Sequence, residues 1–330
     1  MRIVHINADS IDAGGGAVAA MRTIVEGQRE AGHEVIVLSR ADMTWPYRAL
    51  HFVALVLMKL AFGHCYSGGL LPSGLGKRAN ALKPDIVYLH RLQNRTLGMR
   101  EILRIQAPKK WYFHDLYPLN GVCPFWDEEL FELPMPRRMR CLDRWSRALK
   151  RMVGRSAKDL GIVVASEWMK SEVAKSAAFA DVPVRLEPLA ISPIFKRVKE
   201  SRTWKVDRTK LLFVAPSRVD DPVKGYDRLQ AALALLPADI RSKVNLKICH
   251  GLTQEELARE FCTAFAVAIP SRQETYGLVK HEALACGCPV VTFNETACPE
   301  GLVHGQNGWI AADVQSFAEG ILRFAAQQLS

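Results

Sequence analysis

Over the first 190 residues, apolar positions fall in short unbroken runs, and helical spacing fills most of the intervals between them. "RIVHIN" from Arg2 is β-rich, "GGGAVAAMRTIVEGQREAG" from Gly14 spaces Ala17, Met21, Ile24 and Val25 along one helical face, and "HEVIVLS" is the next strand. "DIVYLH", "KKWYFHD" and "LGIVVAS" continue the series. Strands that are continuously apolar, separated by helices, predict a parallel sheet covered on both faces.

The pattern stops between Glu187 and Arg208, where "EPLAISPIFKRVKESRTWKVDR" replaces it with prolines and charges, as an interdomain connection would. It then restarts with strand "KLLFVAPS", helix "YDRLQAALALL", strand "VNLKICH", helix "TQEELAREFC", strand "AFAVAIPS", a helix from about Tyr276 and strand "PVVTF". There is no short-period repeat. A chain of 330 residues accommodates two such domains, and they are expected at 1–190 and 191–330. Two doubly wound domains would leave a central cleft facing the carboxyl ends of both sheets, where open α/β sheets bind ligands.

Composition narrows the class. With 49% hydrophobic and 24% charged residues the chain is globular. It opens on a strand pattern with no secretory signal, so a cytoplasmic location is expected. The longest apolar stretch, "ALHFVALVLMKLAFGHCYSGGLL" from Ala49, is interrupted by His51, Lys59 and His64. Its clean runs are shorter than a spanning helix needs, which leaves a core helix or a membrane-facing one. The 8 cysteines lack a paired framework or zinc spacing and are expected to be mostly reduced core thiols, with Cys286-Gly287-Cys288 serving packing. The net charge of +10 lies wholly in residues 1–200, which hold 30 Lys+Arg and 20 Asp+Glu against 14 and 14 in the remainder.

Candidate chemistry clusters after strands. Gly14, Gly15 and Gly16 follow the first strand and let backbone N–H groups approach an anionic or hydroxylated ligand. Arg218 and Lys224-Gly225 lie between strand "FVAPS" and its helix, two cations suited to a diphosphate. Glu274 and Glu282 are eight positions apart, about 12 Å on an unbroken helix. That is too far for one acid–base pair, so they would grip separate parts of a long ligand, each carboxylate accepting from a vicinal diol.

Arg218, Lys224-Gly225, Glu274-x(7)-Glu282 and "EALACGCPVV", in this order, resemble the donor-binding half of retaining glycosyltransferases of the GT-B fold, family 4. The similarity extends to "GGGAVAAMRTIVEGQREAGHEVIVLS", "FHDLYPLNGVCPF" and "PLAISPIFK", covering most of the chain. It implies two Rossmann-like α/β domains and transfer of a hexose-type sugar from a UDP- or GDP-linked donor to a saccharide or lipid-linked saccharide, with anomeric configuration retained and no metal or other cofactor. Arg218 and Lys224 then neutralise the donor diphosphate, Glu282 binds ribose, and Glu274 approaches the transferred sugar. His114 is similar to the histidine that reaches that sugar from across the cleft, with Asp115 beside it on the acceptor side. Gly15, Gly16, Tyr276, Gly277 and Leu278 complete the donor-binding set. Two departures stand out: "FNETACPEGLVHGQNGW" lacks the Gly-Gly that family members often carry before this loop, and the nucleobase region between "ICH" and "AIPS" is short.

From Arg137, "RRMRCLDRWSRALKRMVGRSAK" holds nine basic residues and one acid. Leu142, Trp145, Leu149, Met152 and Val153 recur at helical spacing. Such a helix either packs on its own domain or lies on an anionic membrane surface through Arg144, Trp145, Arg147, Lys150 and Arg151. Two rival functions remain: a sugar-nucleotide epimerase on the same fold, and a non-enzymatic nucleic-acid-binding protein, for which no recognition motif is present. A nicotinamide dehydrogenase fits worse, because no acid ends the second strand.

Overall fold

The computed structural model describes residues 1–13, 15–62, 69–93, 96–122, 139–215, 219 and 221–327. Its contacts divide the chain into two compact units, Met1–Ala190 and Ile191–Ser330.

The first unit runs β1 (Arg2–Ile6), α1 (Gly16–Glu30), β2 (Glu34–Leu38), α2 (Trp45–Phe62), α3 (Leu75–Ala81), β3 (Ile86–Leu89), α4 (Met99–Ile102), β4 (Lys109–Tyr112), α5 (Met139–Ser156), β5 (Leu160–Val164), α6 (Glu167–Lys175) and β6 (Val184–Leu186). All six strands are parallel in the order β2-β1-β3-β4-β5-β6. Strand alternation divides the side chains between two faces. Val4, Ile6, Val87, Leu89 and Trp111 join the main core, whereas His5, Tyr88 and Tyr112 occupy the other face.

The second unit runs α7 (Pro193–Glu200), β7 (Asp207–Val214), α8 (Tyr226–Ala234), α9 (Ala238–Arg241), β8 (Asn245–Cys249), α10 (Gln254–Thr263), β9 (Ala264–Ile269), α11 (Leu278–Ala285), β10 (Val290–Phe293), β11 (Gly308–Ala311) and α12 (Val314–Gln327). Its five parallel strands are ordered β11-β10-β9-β7-β8. Both sheets are doubly wound, and the direction of strand addition reverses at β1/β3 in one and at β7/β9 in the other. Ligands of open α/β sheets bind beyond the carboxyl ends at such reversals.

Three sequence expectations change. Residues 193–200, assigned to a connection, form α7: Pro193 sits at its first turn, where the missing N–H costs nothing, and Phe195 and Val198 are buried in the second unit's core. The apolar stretch from Ala49 is not a core helix. Six of its α2 side chains, Leu50, Phe52, Val53, Val56, Leu57 and Leu60, are exposed large hydrophobics, as is Trp45 at the start of α2. Lys150 is only 1% exposed, and its Nζ donates to the carbonyls of Tyr117, Asn120 and Gly121 beneath α5, so it cannot meet a membrane. Trp145, the other large side chain named for that surface, is 57% exposed. Cys286 and Cys288 pack in the core as expected, and burial raises both thiols well above the usual thiol range.

Candidate active site

The loops beyond β7, β9 and β10 converge. After β7 the chain makes a 3-10 turn over Pro222–Lys224, capped by the Asp221 carboxylate, and enters α8 through Gly225 in the left-handed region (φ 67°). A Cβ at Gly225 would lie 2.2 Å from the Pro270 carbonyl oxygen, so only glycine lets the turn approach the loop beyond β9. Arg272 ties the two together, its N–H donating to the Val223 carbonyl and its guanidinium to the Pro222 carbonyl and the Asp227 carboxylate.

This approach sets Lys224 Nζ 2.7 Å from Glu274 Oε1. Both side chains are largely buried, at 22% and 18% exposure. Burial works against the lysine's charge, but the Glu274 carboxylate outweighs it and keeps the ammonium above its ordinary range. Ser271 Oγ also donates to Glu274 Oε1 at 3.0 Å, and Glu274 N donates to Thr296 Oγ1 at 3.0 Å. Thr296 stands at φ 53° within the loop that lacks the family's glycine pair. A β-branched residue there is strained by roughly 1–3 kcal/mol, and its hydroxyl fixes the backbone of Glu274 in return.

Two further contacts anchor the loop beyond β10. Lys280, 2% exposed, donates from α11 to the carbonyls of Ala297 and Cys298, and burial lowers its pKa. Arg228 of α8 makes a bidentate pair with Glu295 at 2.8 and 3.0 Å. Sequence reading missed Ser271, Thr296, Lys280 and the Arg228–Glu295 pair, because each acts through a partner on another loop.

Glu282 lies on α11, part-buried, and burial pushes its carboxyl up to about 7. Gly277 (φ 79°) breaks the chain before α11, so Glu274 and Glu282 do not share a helix. Leu278 is the first residue of α11, and the Tyr276 ring stacks on His281 at 4.3 Å. Arg218 lies outside the described residues, as does Gly14.

The first unit carries its own cluster at the β1/β3 reversal. Gly15 (φ 103°) caps α1 and Gly16 opens it, leaving the N-terminal turn free of side-chain bulk. Asp9, beyond β1, pairs with Arg40 at 2.5 Å and Arg91 at 3.6 Å. His114 and Asp115 follow β4 and are part-buried. Asp115 accepts from Gln93 Nε2 and from the Tyr117 N–H, while burial raises its pKa. His114 Nε2 lies 2.9 Å from His90 Nδ1, and the ring contacts continue from His90 through His5 to Gln28.

Residues 14–192 match the family described as Glycosyltransferase Family 4, and residues 223–327 match Glycosyl transferases group 1. Among curated proteins, an uncharacterized 41.2 kDa protein in the cps region of Klebsiella pneumoniae is 24% identical over 174 residues, covering 47% of this chain and 48% of that protein. A D-inositol 3-phosphate glycosyltransferase of Frankia alni is 34% identical over 98 residues, covering 29% and 24%. These matches span about half or less of the relatives' own lengths. Sucrose-phosphate synthase from Thermosynechococcus elongatus has a similar fold, with TM-score 0.67 at 17% identity over 99% of this chain and 90% of that one. So does WaaG, a glycosyltransferase involved in lipopolysaccharide biosynthesis, with TM-score 0.63 at 15% identity over 98% and 90%. Anabaena Alr3699/HepE, solved with UDP and glucose, gives 0.58 at 15% over 99% and 95%.

Proposed function

The chain belongs to glycosyltransferase family 4 and has its two-domain GT-B fold, and from that premise we propose that it transfers a hexose from a UDP- or GDP-linked donor to a saccharide or lipid-linked saccharide with retention of configuration. The Lys224–Glu274 pair at the β7/β9 reversal carries this reading. Cleaving a glycosidic bond to a nucleotide builds negative charge on the diphosphate, and a cation already fixed in a water-poor loop stabilises that charge without reorganising. Lys224, with Arg218, takes the diphosphate. Glu274, oriented by Ser271 and Thr296, accepts from hydroxyls of the transferred sugar, and Glu282 from those of the ribose. Tyr276, Gly277 and Leu278 bring the start of α11 to the donor. Once the bond to the anomeric carbon breaks, the acceptor oxygen attacks the oxocarbenium-like carbon on the face the phosphate leaves. The departing phosphate takes the acceptor's proton, and the step calls for no metal.

Relatives solved with UDP, glucose and UDP-glucose make uridine donors the first to test. UDP or GDP at about 100 Kd is expected to stabilise the protein by about 2.7 kcal/mol, read as a rise in Tm that survives EDTA. No shift with any nucleoside diphosphate overturns the donor reading. Altered donor formed without acceptor would instead indicate an epimerase.

The exposed face of α2 supports peripheral attachment to an anionic membrane. Among the described residues, no helix is long and apolar enough to cross a membrane. The α2 face is apolar, holds no acid and carries exposed Arg48 and Lys59. Tyr47 of α2 packs on Gly74 ahead of α3, Gly76 of α3 packs on Glu101 of α4, and α4 packs on α5. The apolar helix therefore belongs to the same layer as Arg144, Trp145, Arg151 and the Asp143-paired Arg147 of α5. Each large apolar side chain buried in lipid contributes about 1.5–3 kcal/mol, and each cation near an anionic surface about 1 kcal/mol. The protein is expected to float with vesicles containing phosphatidylglycerol, and Leu57→Glu with Leu60→Glu to abolish flotation without lowering Tm. Equal flotation of that variant, or dimerisation through α2 in place of vesicle binding, excludes the membrane reading.

A further inference from the structure

In the first unit, α5 and α6 enclose a cavity of about 220 Å³, none of whose lining residues serves the donor. Arg147, Lys150 and Arg151 line it from α5, Glu172 and Lys175 from α6, and the buried Leu119 from the loop after β4. Positions 147, 150 and 151 recur at spacings of three and four, so one face of α5 supplies all three cations. Lys150 is committed to the carbonyls of Tyr117, Asn120 and Gly121, with its ammonium 3.5 Å from the centre of the Tyr117 ring. The charge open to a ligand therefore comes from the other three cations.

Acids offset that charge only in part. Asp143 accepts from Arg147 Nε at 2.7 Å, and Glu172 accepts from Lys175 at 2.8 Å. The two terminal nitrogens of Arg147 have no hydrogen bond among the described residues, and Arg151 is exposed with neither a hydrogen bond nor an ion pair among them. Three cations against two carboxylates leave a surplus of one, which the single negative charge of a phosphodiester cancels. Guanidinium groups match phosphate oxygens with paired N–H donors. Residues four apart on a helix have Cβ atoms about 5–6 Å apart, so Arg147 and Arg151 can both reach one phosphate. Sites for whole small molecules run to about 300–1,000 Å³, so this cavity excludes a nucleotide sugar and suits a headgroup.

We propose that this cavity holds the phosphodiester headgroup of an anionic phospholipid, with Arg147 and Arg151 on the phosphate oxygens and Lys175 beside them. Arg144, three positions before Arg147 and seven before Arg151, continues the same side of α5, and the exposed Trp145 adjoins it. The cavity thus borders the surface proposed to meet the membrane. A soluble phosphate ester would meet the same arginines, but a protein already held on lipid by α2 faces headgroups at a far higher effective concentration. The apolar face of α2 then supplies attachment and the cavity supplies the choice of headgroup. The lipid source rests on the membrane reading, whereas phosphate binding stands without it.

Arg151→Gln removes an exposed cation and strands no acid, so the fold is expected to be kept. Lys158→Gln removes the same charge from an exposed position beyond α5 and outside the cavity. Two measurements on the full chain test the site: calorimetric titration with glycerophosphoglycerol, the soluble headgroup of phosphatidylglycerol, and flotation with phosphatidylcholine vesicles carrying either phosphatidylglycerol or oleate at equal surface charge. The wild type and Lys158→Gln are expected to bind the soluble headgroup alike and to favour phosphatidylglycerol over oleate vesicles by about tenfold, the worth of one charge-assisted hydrogen bond. Arg151→Gln is expected to bind the soluble headgroup about tenfold more weakly and to float equally with both vesicles. An Arg151→Gln variant that matches Lys158→Gln in both measurements overturns the site. A wild type that floats equally with both vesicles and ignores the soluble headgroup also overturns it, and leaves the membrane reading standing. A wild type that binds the soluble headgroup through Arg151 but floats with neither vesicle supports the phosphate site and overturns its lipid source together with the membrane reading.

Discussion

Lys224→Met is expected to lower kcat by about 10²–10³-fold, the cost of removing one preorganised group that stabilises charge in the transition state. It should also destabilise the fold, because Glu274, 18% exposed, would lose its cation while still accepting from Ser271. Removing one partner of a buried pair costs about 3–5 kcal/mol, and the part-exposed pair here calls for the lower end of that range or less. The two effects separate in the double variant Lys224→Met/Glu274→Gln. A neutral amide keeps the Ser271 and backbone contacts without a stranded charge, so Tm is expected to recover while turnover stays low. Turnover that recovers together with Tm would mean that Lys224 acts only as a prop for Glu274, and leaving-group stabilisation would have to come from elsewhere.

The sequence made the buried, repetitive parts of the fold legible and left its edges and cross-strand contacts obscure. Continuous apolar runs such as "LLFV" of β7 and "AFAVAI" of β9 are central strands, and their pattern follows from burial on both faces. β6 and β11, three and four residues at sheet edges, have only partial burial and produce no such run. α7 was hidden by its charges, which obscured Phe195 and Val198 three positions apart. The candidate site divides in the same way. Lys224 and Glu274 are visible as residue types after strands, but Ser271, Thr296 and Lys280 matter only once three loops meet. His5, His90 and His114 are separated by 85 and 24 positions, and no spacing rule links them until strand order and register bring their rings together. Lys150 makes the converse point: helical periodicity assigned it to a charged surface, while three carbonyls beneath α5 draw it inward.

Glu282 should make both stability and donor binding depend on pH, in opposite senses. Burial raises its carboxyl from 4.5 to about 7 in the folded chain, so the folded state holds this proton more tightly than the unfolded state. Stability is therefore greatest below about 4.5 and falls as pH rises toward 7, where the ionised group costs about 3 kcal/mol at 1.36 kcal/mol per pKa unit. Glu282→Gln removes that cost, and its Tm is expected to exceed the wild type's at pH 8 but not at pH 4.5. A ribose diol donates two hydrogen bonds and favours the carboxylate, so nucleotide affinity should rise with pH up to about 7 and binding at pH 6 should take up fewer protons than it releases. Glu282→Gln loses that pH dependence and most of the affinity, since an amide offers one acceptor oxygen where the carboxylate offers two. Calorimetry of UDP binding in two buffers of different ionisation enthalpy reads the proton directly. A wild type that binds without proton release at pH 6, or a Glu282→Gln variant that binds as tightly as the wild type at pH 8, would remove Glu282 from the ribose site.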